Sequence, residues 1–153
     1  ARLGRSERAA AYLAATEADF ADAARRIAGK GPAGRPVVIV NFGDAQHVRV
    51  FGADSVFGET AQKLGLTLAW SEATRYSATA PIGVEALARM PDAIVLVVPP
   101  IPPDAAAVLD HGAFWHALPN VAAGKVAVLP TCIPFGGLPT ARRFARAVAA
   151  ALE

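Results

Sequence analysis

Three histidines and one cysteine are the side chains of this sequence that could bind a metal ion or act in catalysis. His111 and His116 are five residues apart, so they do not share a helix face, and no Cys-His cluster accompanies them. His47 stands apart from both, and Cys132 has no oxyanion-loop motif beside it. We therefore interpret all four as structural or surface residues. The sequence predicts no resident metal, no cofactor and no enzymatic activity.

Phosphate-binding and nucleophile motifs are equally absent from the sequence, which contains no Gly-x-Gly-x-x-Gly and no Gly-x-Ser-x-Gly. Gly29 and Lys30 resemble part of a phosphate loop. The loop 29–36, however, follows a predicted helix and precedes a predicted strand, which reverses the order that phosphate binding requires. Asp44 and Asp54 could flank a site, although Asp54 is explained more simply as a helix N-cap.

Aromatic and polar side chains in predicted loops form the strongest candidate site. Aromatic faces with a few polar groups suit a bulky, partly apolar ligand. Ordinary packing of loops is the alternative explanation. The residues concerned are Phe42, Trp70, Arg75, Tyr76 and Phe135.

The elements that must position these residues alternate between strand and helix. Continuous apolar runs predict buried strands at 37–41, 93–98 and 126–129. Strands separated by helical segments predict a three-layer α/β/α sandwich around a mainly parallel, Rossmann-like sheet. Ligands on such sheets bind beyond the carboxyl ends of the strands, which here are 42–44, 99–101 and 131–137.

Shorter segments complete the predicted order. Alternation at 47–51 predicts a short edge strand, 66–70 a further short strand, and the polar segment 71–81 an irregular loop. Predicted helices cover 56–64, 84–89, 103–109, 113–118 and 139–152, the last of them burying Leu138, Ala141, Phe144, Ala145, Val148 and Leu152.

One long helix precedes the first strand. Leu13, Phe20 and Ile27 recur at every seventh position within 6–28, which predicts an apolar stripe on a helix roughly 35 Å long. We expect the N-terminal end of this stripe to be exposed or covered by a neighbour. Because the sequence begins inside this helical pattern and shows no signal-peptide core, we also expect further chain before Ala1.

The composition is that of a globular domain. Of 153 residues, 54% are hydrophobic and 18% charged, which suits one compact core. A net charge of +2 without a dense basic run excludes a nucleic-acid-binding surface. No apolar run approaches the ~18 residues needed to cross a bilayer.

The order of three segments, 91–99, 114–126 and 135–146, carries a family resemblance. From residue 3 to residue 152 the chain resembles the C-terminal lobe of the periplasmic proteins that deliver iron-siderophore, haem and cobalamin to ABC importers. The hydroxamate (ferrichrome-type) branch is the most similar. The resemblance implies that 1–34 is an interdomain helix and linker, that 35–153 is the lobe, and that an N-terminal lobe of the same protein completes it.

The resemblance also implies a function. The chain would bind a ferric siderophore between two lobes and present it to an ABC permease in the inner membrane, without catalysis. It would lie in the periplasm or be lipid-anchored at the outer face of the cell membrane. Haem or cobalamin binding on the same scaffold, a small Rossmann-like nucleotide-binding enzyme domain, and a stand-alone interaction module are the alternatives. The enzyme is disfavoured because 41–44 supplies no glycine-rich turn.

Carried over by position, two loops of the family supply ligand-facing aromatics. In the loop 71–81 the family's tryptophan falls on Ser77, with Tyr76 beside it, and Arg75 would add hydrogen bonds. In the loop 131–136 the family's two aromatics fall on Ile133 and Phe135. A carboxylate that docks the lobe on the permease falls on Glu85, for which stabilisation of a helix's first turn is the alternative role.

Overall fold

The computed structural model describes residues 3–31, 33–74 and 78–153. The helices are α1 (Leu3–Ala28), α2 (Val56–Lys63), α3 (Pro103–His111), α4 (Ala113–Ala117), α5 (Pro119–Ala122) and α6 (Gly137–Ala151), with a 3-10 helix at Val84–Arg89. The strands are β1 (Pro36–Phe42), β2 (His47–Phe51), β3 (Thr67–Leu68), β4 (Thr79–Gly83), β5 (Ile94–Val97) and β6 (Val126–Val128).

All six strands belong to one sheet, with the order β4-β2-β1-β5-β6 and with β3 paired to the start of β1. The pairs β1–β5, β5–β6 and β1–β3 are parallel, whereas β1–β2 and β2–β4 are antiparallel. The predicted fold class is confirmed, and the three predicted core strands are neighbours. The prediction that 47–51 is an edge strand is wrong, because β4 pairs with its outer side. Pro81 and Gly83 hid β4 in the sequence, since both residue types are depleted in strands.

The alternation of side chains along β1 separates two apolar cores. Val37 and Ile39 face the layer formed by α1, α2 and α6, and that core includes Phe57 and Phe144. Val38 and Val40 face the opposite layer, formed by the 3-10 helix, α3, α4 and α5. The molecule is therefore the predicted three-layer sandwich.

Helix α1 leaves the body of the domain along half of its length. Residues 4–15 are exposed, Leu13 to 50%, whereas Ala23 and Ile27 are buried at the other end of the helix. Phe20 is partly buried between them. The expected exposure of the N-terminal end of the stripe is thus observed. That α1 connects two lobes stays a prediction.

Two local predictions are corrected by the structure. The N-cap of α2 is Ser55, whose Oγ accepts a hydrogen bond from the Gly58 N–H at 2.9 Å. Asp54 instead accepts a hydrogen bond from the Thr74 hydroxyl at 2.6 Å. On α6, the predicted buried face is observed except at Leu138, which is 40% exposed because it lies in the first turn, before the helix reaches the core.

A carboxylate shared by two arginines joins α1 to α6. Asp19 Oδ2 accepts hydrogen bonds from Arg142 Nε at 2.6 Å and from Arg146 Nη2 at 2.7 Å. The bond from Arg142 is the main reason why the pKa of Asp19 lies below its usual value. Because this pKa is lower in the folded state, the ionised carboxylate stabilises the fold at pH values above the unfolded pKa. This stabilisation is lost as the pH falls through the folded pKa.

We therefore expect Asp19→Asn to destabilise the chain near neutral pH. The cost should decrease progressively as the pH falls below about 4, the usual pKa of an aspartate in an unfolded chain, and through the lower pKa of Asp19 in the folded state. Urea unfolding of both proteins between pH 3 and pH 7 measures this difference. Glu17→Gln, on an exposed position of the same helix, is the control. A cost of Asp19→Asn that is independent of pH would show that the ion pairs do not support the helix contact.

Candidate functional site

A cavity of about 570 Å³ opens where the carboxyl ends of β1, β5 and β6 meet. The sheet contributes its floor, and the segments after β5 and β6 contribute its walls. Such an edge is where open α/β sheets bind ligands. The lining residues are Asn41, Arg49, Phe51, Thr79, Val98, Pro99, Pro100, Thr131, Cys132, Ile133, Pro134 and Phe135.

Asn41 organises the polar part of this cavity. Its side chain is 8% exposed, and its Nδ2 donates hydrogen bonds to the carbonyl oxygens of Val98 at 2.9 Å and Pro100 at 3.1 Å. Its Oδ1 accepts a hydrogen bond from Arg49 Nη2 at 2.6 Å. Asn41 thus joins the end of β1 to the segment after β5 and fixes the guanidinium of Arg49 at the cavity floor.

The apolar part of the cavity comes mainly from the loop after β6. Phe135 is 77% exposed and Ile133 is 67% exposed, which is unusual for residues of this size. Between them and the core, Leu129 and Cys132 are each 2% exposed and anchor the loop. Burial raises the pKa of the Cys132 thiol, so this side chain is a packing residue in its neutral form. The loop therefore presents an apolar surface on a fixed base.

The structure divides the residues chosen from the sequence. Phe135 and Ile133 both line the cavity. Phe42 does not, because it is 1% exposed and packs edge-on against Trp115 at 5.6 Å between ring centroids in the opposite layer. Burial therefore contradicts the predicted ligand contact of Phe42. Trp70 is partly buried against the same opposite core and is not among the described lining residues, and its contact with a ligand stays a prediction.

Arg75, Tyr76 and Ser77 lie outside the described residues. Their proposed contacts with a ligand stay predictions. Thr79, the first residue of β4, lines the cavity and pairs with Phe51 of β2.

Sequence reasoning missed Asn41 and Arg49. Neighbouring residues of a strand point to opposite faces, so at the end of β1 Asn41 points to the cavity and Phe42 points to the opposite core. The sequence does indicate the orientation of Arg49, since the alternation of 47–51 places it on the same strand face as Phe51. Its pairing with Asn41 follows only from the register of β1 and β2, which places the two residues opposite each other.

Glu85 lies at the same edge of the sheet, but outside the cavity. It is exposed in the first turn of the 3-10 helix and lines a second cavity of about 540 Å³ together with His47 and Phe114. Phe114 is itself 58% exposed.

His47 pairs with Asp44, at 2.9 Å between Nδ1 and Oδ1, in the turn after β1. A hydrogen bond from the Gln46 N–H, followed by that of His47, keeps the pKa of Asp44 below its usual value.

Within 3–31, 33–74 and 78–153, no group of three or more His, Cys, Asp or Glu side chains could hold a metal ion. The same residues include no helix that combines the length and the apolar character needed to span a membrane.

Comparison with known proteins places this geometry in context. No protein-family model matches the chain. The iron(3+)-hydroxamate-binding protein FhuD of Escherichia coli K12 is 28% identical over 112 residues, which are 73% of this chain and 38% of FhuD. The chain therefore spans about two fifths of the length of this curated relative.

Solved structures of siderophore-binding proteins share the fold. FhuD from Vibrio cholerae with bound Fe3+-Desferal has a TM-score of 0.80 at 22% identity, over 92% of this chain and 53% of that one. FeuA from Bacillus subtilis with ferri-bacillibactin has a TM-score of 0.78 at 22% identity, over 97% and 54%. FhuD2 from Staphylococcus aureus with ferrioxamine B has a TM-score of 0.73 at 14% identity, over 98% and 59%.

These matches confirm the resemblance derived from the sequence. The chain is homologous to FhuD and has the fold of one part of the siderophore-binding proteins, with the long helix α1 at its start.

Proposed function

We propose that this chain is the C-terminal lobe and interdomain helix of a solute-binding protein for a ferric siderophore of the hydroxamate type. The relative identified by sequence is named as an iron(3+)-hydroxamate-binding protein, and two of the matching structures hold Desferal or ferrioxamine B. The observation that carries the proposal is the cavity at the carboxyl edge of the sheet, with Ile133 and Phe135 exposed on its wall. Its role is binding and delivery, with the iron chelate as ligand.

The chemistry of this cavity suits half of a binding cleft. A siderophore presents a bulky, largely apolar shell around oxygen atoms that carry negative charge. The apolar wall would contact the shell, while Arg49 would donate hydrogen bonds to the oxygens. The exposed half of α1 would continue to an N-terminal lobe that covers the opposite side of the ligand. Exposed apolar patches mark such contact surfaces.

Titration of the intact two-lobed protein with candidate ligands tests this proposal. A ferric trihydroxamate, a ferric triscatecholate, haem and cobalamin are added in turn, and intrinsic tryptophan fluorescence is followed. We expect a Kd in the micromolar range or below for the ferric trihydroxamate. Tight binding of haem or cobalamin alone would favour the alternative ligands, and no binding of any of the four would contradict the proposed function.

Delivery requires a permease, and we propose that Glu85 contacts an arginine of that partner in the membrane. Its exposure at the ligand edge of the lobe supports this assignment. We expect Glu85→Lys to leave the Kd for the ferric chelate within about twofold while reducing uptake by cells about tenfold, because the substitution opposes like charges at the contact.

Glu59→Lys is the matched control, since Glu59 is an exposed helical carboxylate in the opposite layer of the sandwich. Normal uptake of iron chelate by cells that carry Glu85→Lys would restrict Glu85 to a role in the helix. In this proposal the protein acts in the periplasm or at the outer face of the cell membrane.

A further inference from the structure

Arg49 is a cation without an acidic partner on the floor of the candidate site. None of the described residues that line the cavity is acidic. The cross-strand neighbours of Arg49 are Asn41 on β1 and Pro81 on β4, and both are uncharged. Asp54 lines an adjoining cavity beyond Phe135, and its carboxylate accepts a hydrogen bond from the Thr74 hydroxyl. The positive charge of Arg49 is thus not neutralised by any ion pair among the described residues.

The orientation of this guanidinium is fixed from below. Because both hydrogen bonds from Asn41 Nδ2 go to backbone carbonyl oxygens, Asn41 Oδ1 must face Arg49. An inverted amide would bring Oδ1 against two carbonyl oxygens and Nδ2 against a cation. Asn41 accepts one N–H of a group that has five, so the remaining donors are available to a ligand.

The Asn41 amide is fully hydrogen-bonded and holds Arg49 at the cavity without any ligand. The other described residues that line the cavity carry no charge. A fixed cation beside such surfaces attracts an anionic group and repels a cationic one more effectively than it would in open water. The charge of the ligand is therefore the property that Arg49 can sense.

We infer that Arg49 makes this site selective for ferric chelates by charge, with anionic chelates preferred over neutral ones and neutral over cationic ones. The inference rests on the proposed function and narrows its ligand class. A carboxylate or a surplus negative charge on the chelate, facing the floor of the cavity, would receive the free N–H donors of Arg49. Hydrogen bonds of this kind to an ionised acceptor are stronger than neutral ones.

Three chelates that share one ferric trihydroxamate core and differ in the charge of the terminal group test the inference on the intact protein. The probes are a linear ferric trihydroxamate with a terminal ammonium group, its N-acetylated neutral form and its N-succinylated form, which ends in a carboxylate. We expect the Kd to fall in that order, by about tenfold between the extremes at low ionic strength. The difference should shrink in 0.5 M salt, because screening weakens interactions between exposed charges.

Substitutions assign the preference to Arg49. We expect Arg49→Gln to remove the dependence on charge and Arg49→Glu to reverse its order. Arg49 is exposed, so these variants should fold, and circular dichroism verifies it. Arg89→Gln makes the same change in net charge on an exposed residue of the 3-10 helix, outside the cavity, and should keep the wild-type order.

The outcomes distinguish the charge preference of Arg49 from ferric-chelate binding itself. Equal Kd values for the three chelates, or a preference that persists in Arg49→Gln, would overturn the inference and leave ferric-chelate binding intact. Failure of all three chelates and of a ferric triscatecholate to bind would overturn the proposed function, and the charge preference with it.

Discussion

Replacing Phe57 by alanine should lower the free energy of unfolding of this chain by about 3–5 kcal/mol, which is the cost found for phenylalanine-to-alanine changes in close-packed cores. Phe57 is fully buried on α2. Its ring stacks on Phe144 of α6 at 4.5 Å between centroids and meets the edge of Phe51 at 4.9 Å. Alanine would leave a cavity between a helix, a second helix and the sheet.

Urea unfolding followed by circular dichroism measures this loss. Phe114→Ala is the control, because Phe114 is 58% exposed and its truncation should change stability by less than about 0.5 kcal/mol. Phe57→Leu, which keeps most of the volume, should cost less than alanine. Similar stabilities for Phe57→Ala and Phe114→Ala would mean that the aromatic cluster does not hold the α2–α6 layer on the sheet.

The cluster also explains how the core supports the site. Phe51 lies at the end of β2, where it packs against Phe57 and lines the candidate cavity. Loss of the Phe57 ring would therefore loosen the cavity floor. For this reason the Phe57→Ala substitution tests the stability of the fold, whereas ligand contacts are tested by substitutions of rings that face solvent.

The core strands were predictable from their composition and length. Residues 37–41 and 93–98 are short, β-branched and apolar almost without interruption, which is typical of a strand covered on both faces. β4 was not predictable in this way, since Thr79–Gly83 contains proline and glycine and is held by pairing with β2. Tertiary contacts there override local propensity.

The candidate site was predicted at the level of loops but not of side chains. The loop after β6 follows from the sheet topology, and Phe135 and Ile133 do line the cavity. A displacement by one residue, however, moves a strand side chain through the sheet to the other core. That step separates Phe42, which is buried, from Asn41, which binds Arg49. Only strand register reveals such a pair.

The largest effect on binding is expected from Phe135. Its ring is 77% exposed on the wall of the cavity, and no other aromatic ring among the described lining residues is as exposed. In the intact protein with a bound ferric trihydroxamate, the ring would be covered by the ligand. Exposed aromatics that become buried on binding are the residues that most often dominate an interface.

We expect Phe135→Ala to weaken the binding of a ferric trihydroxamate by about 2 kcal/mol or more, hence by at least tenfold in Kd, with no loss of stability. Phe135→Tyr should keep most of the affinity, because the ring is retained. Phe114→Ala removes an equally large exposed ring at the same edge of the sheet but from the other cavity, so it should leave the Kd unchanged. If the two alanine variants bind the chelate with equal affinity, the loop after β6 does not contact the ligand. A selective loss in Phe135→Ala would instead place the chelate against this wall, above the guanidinium of Arg49.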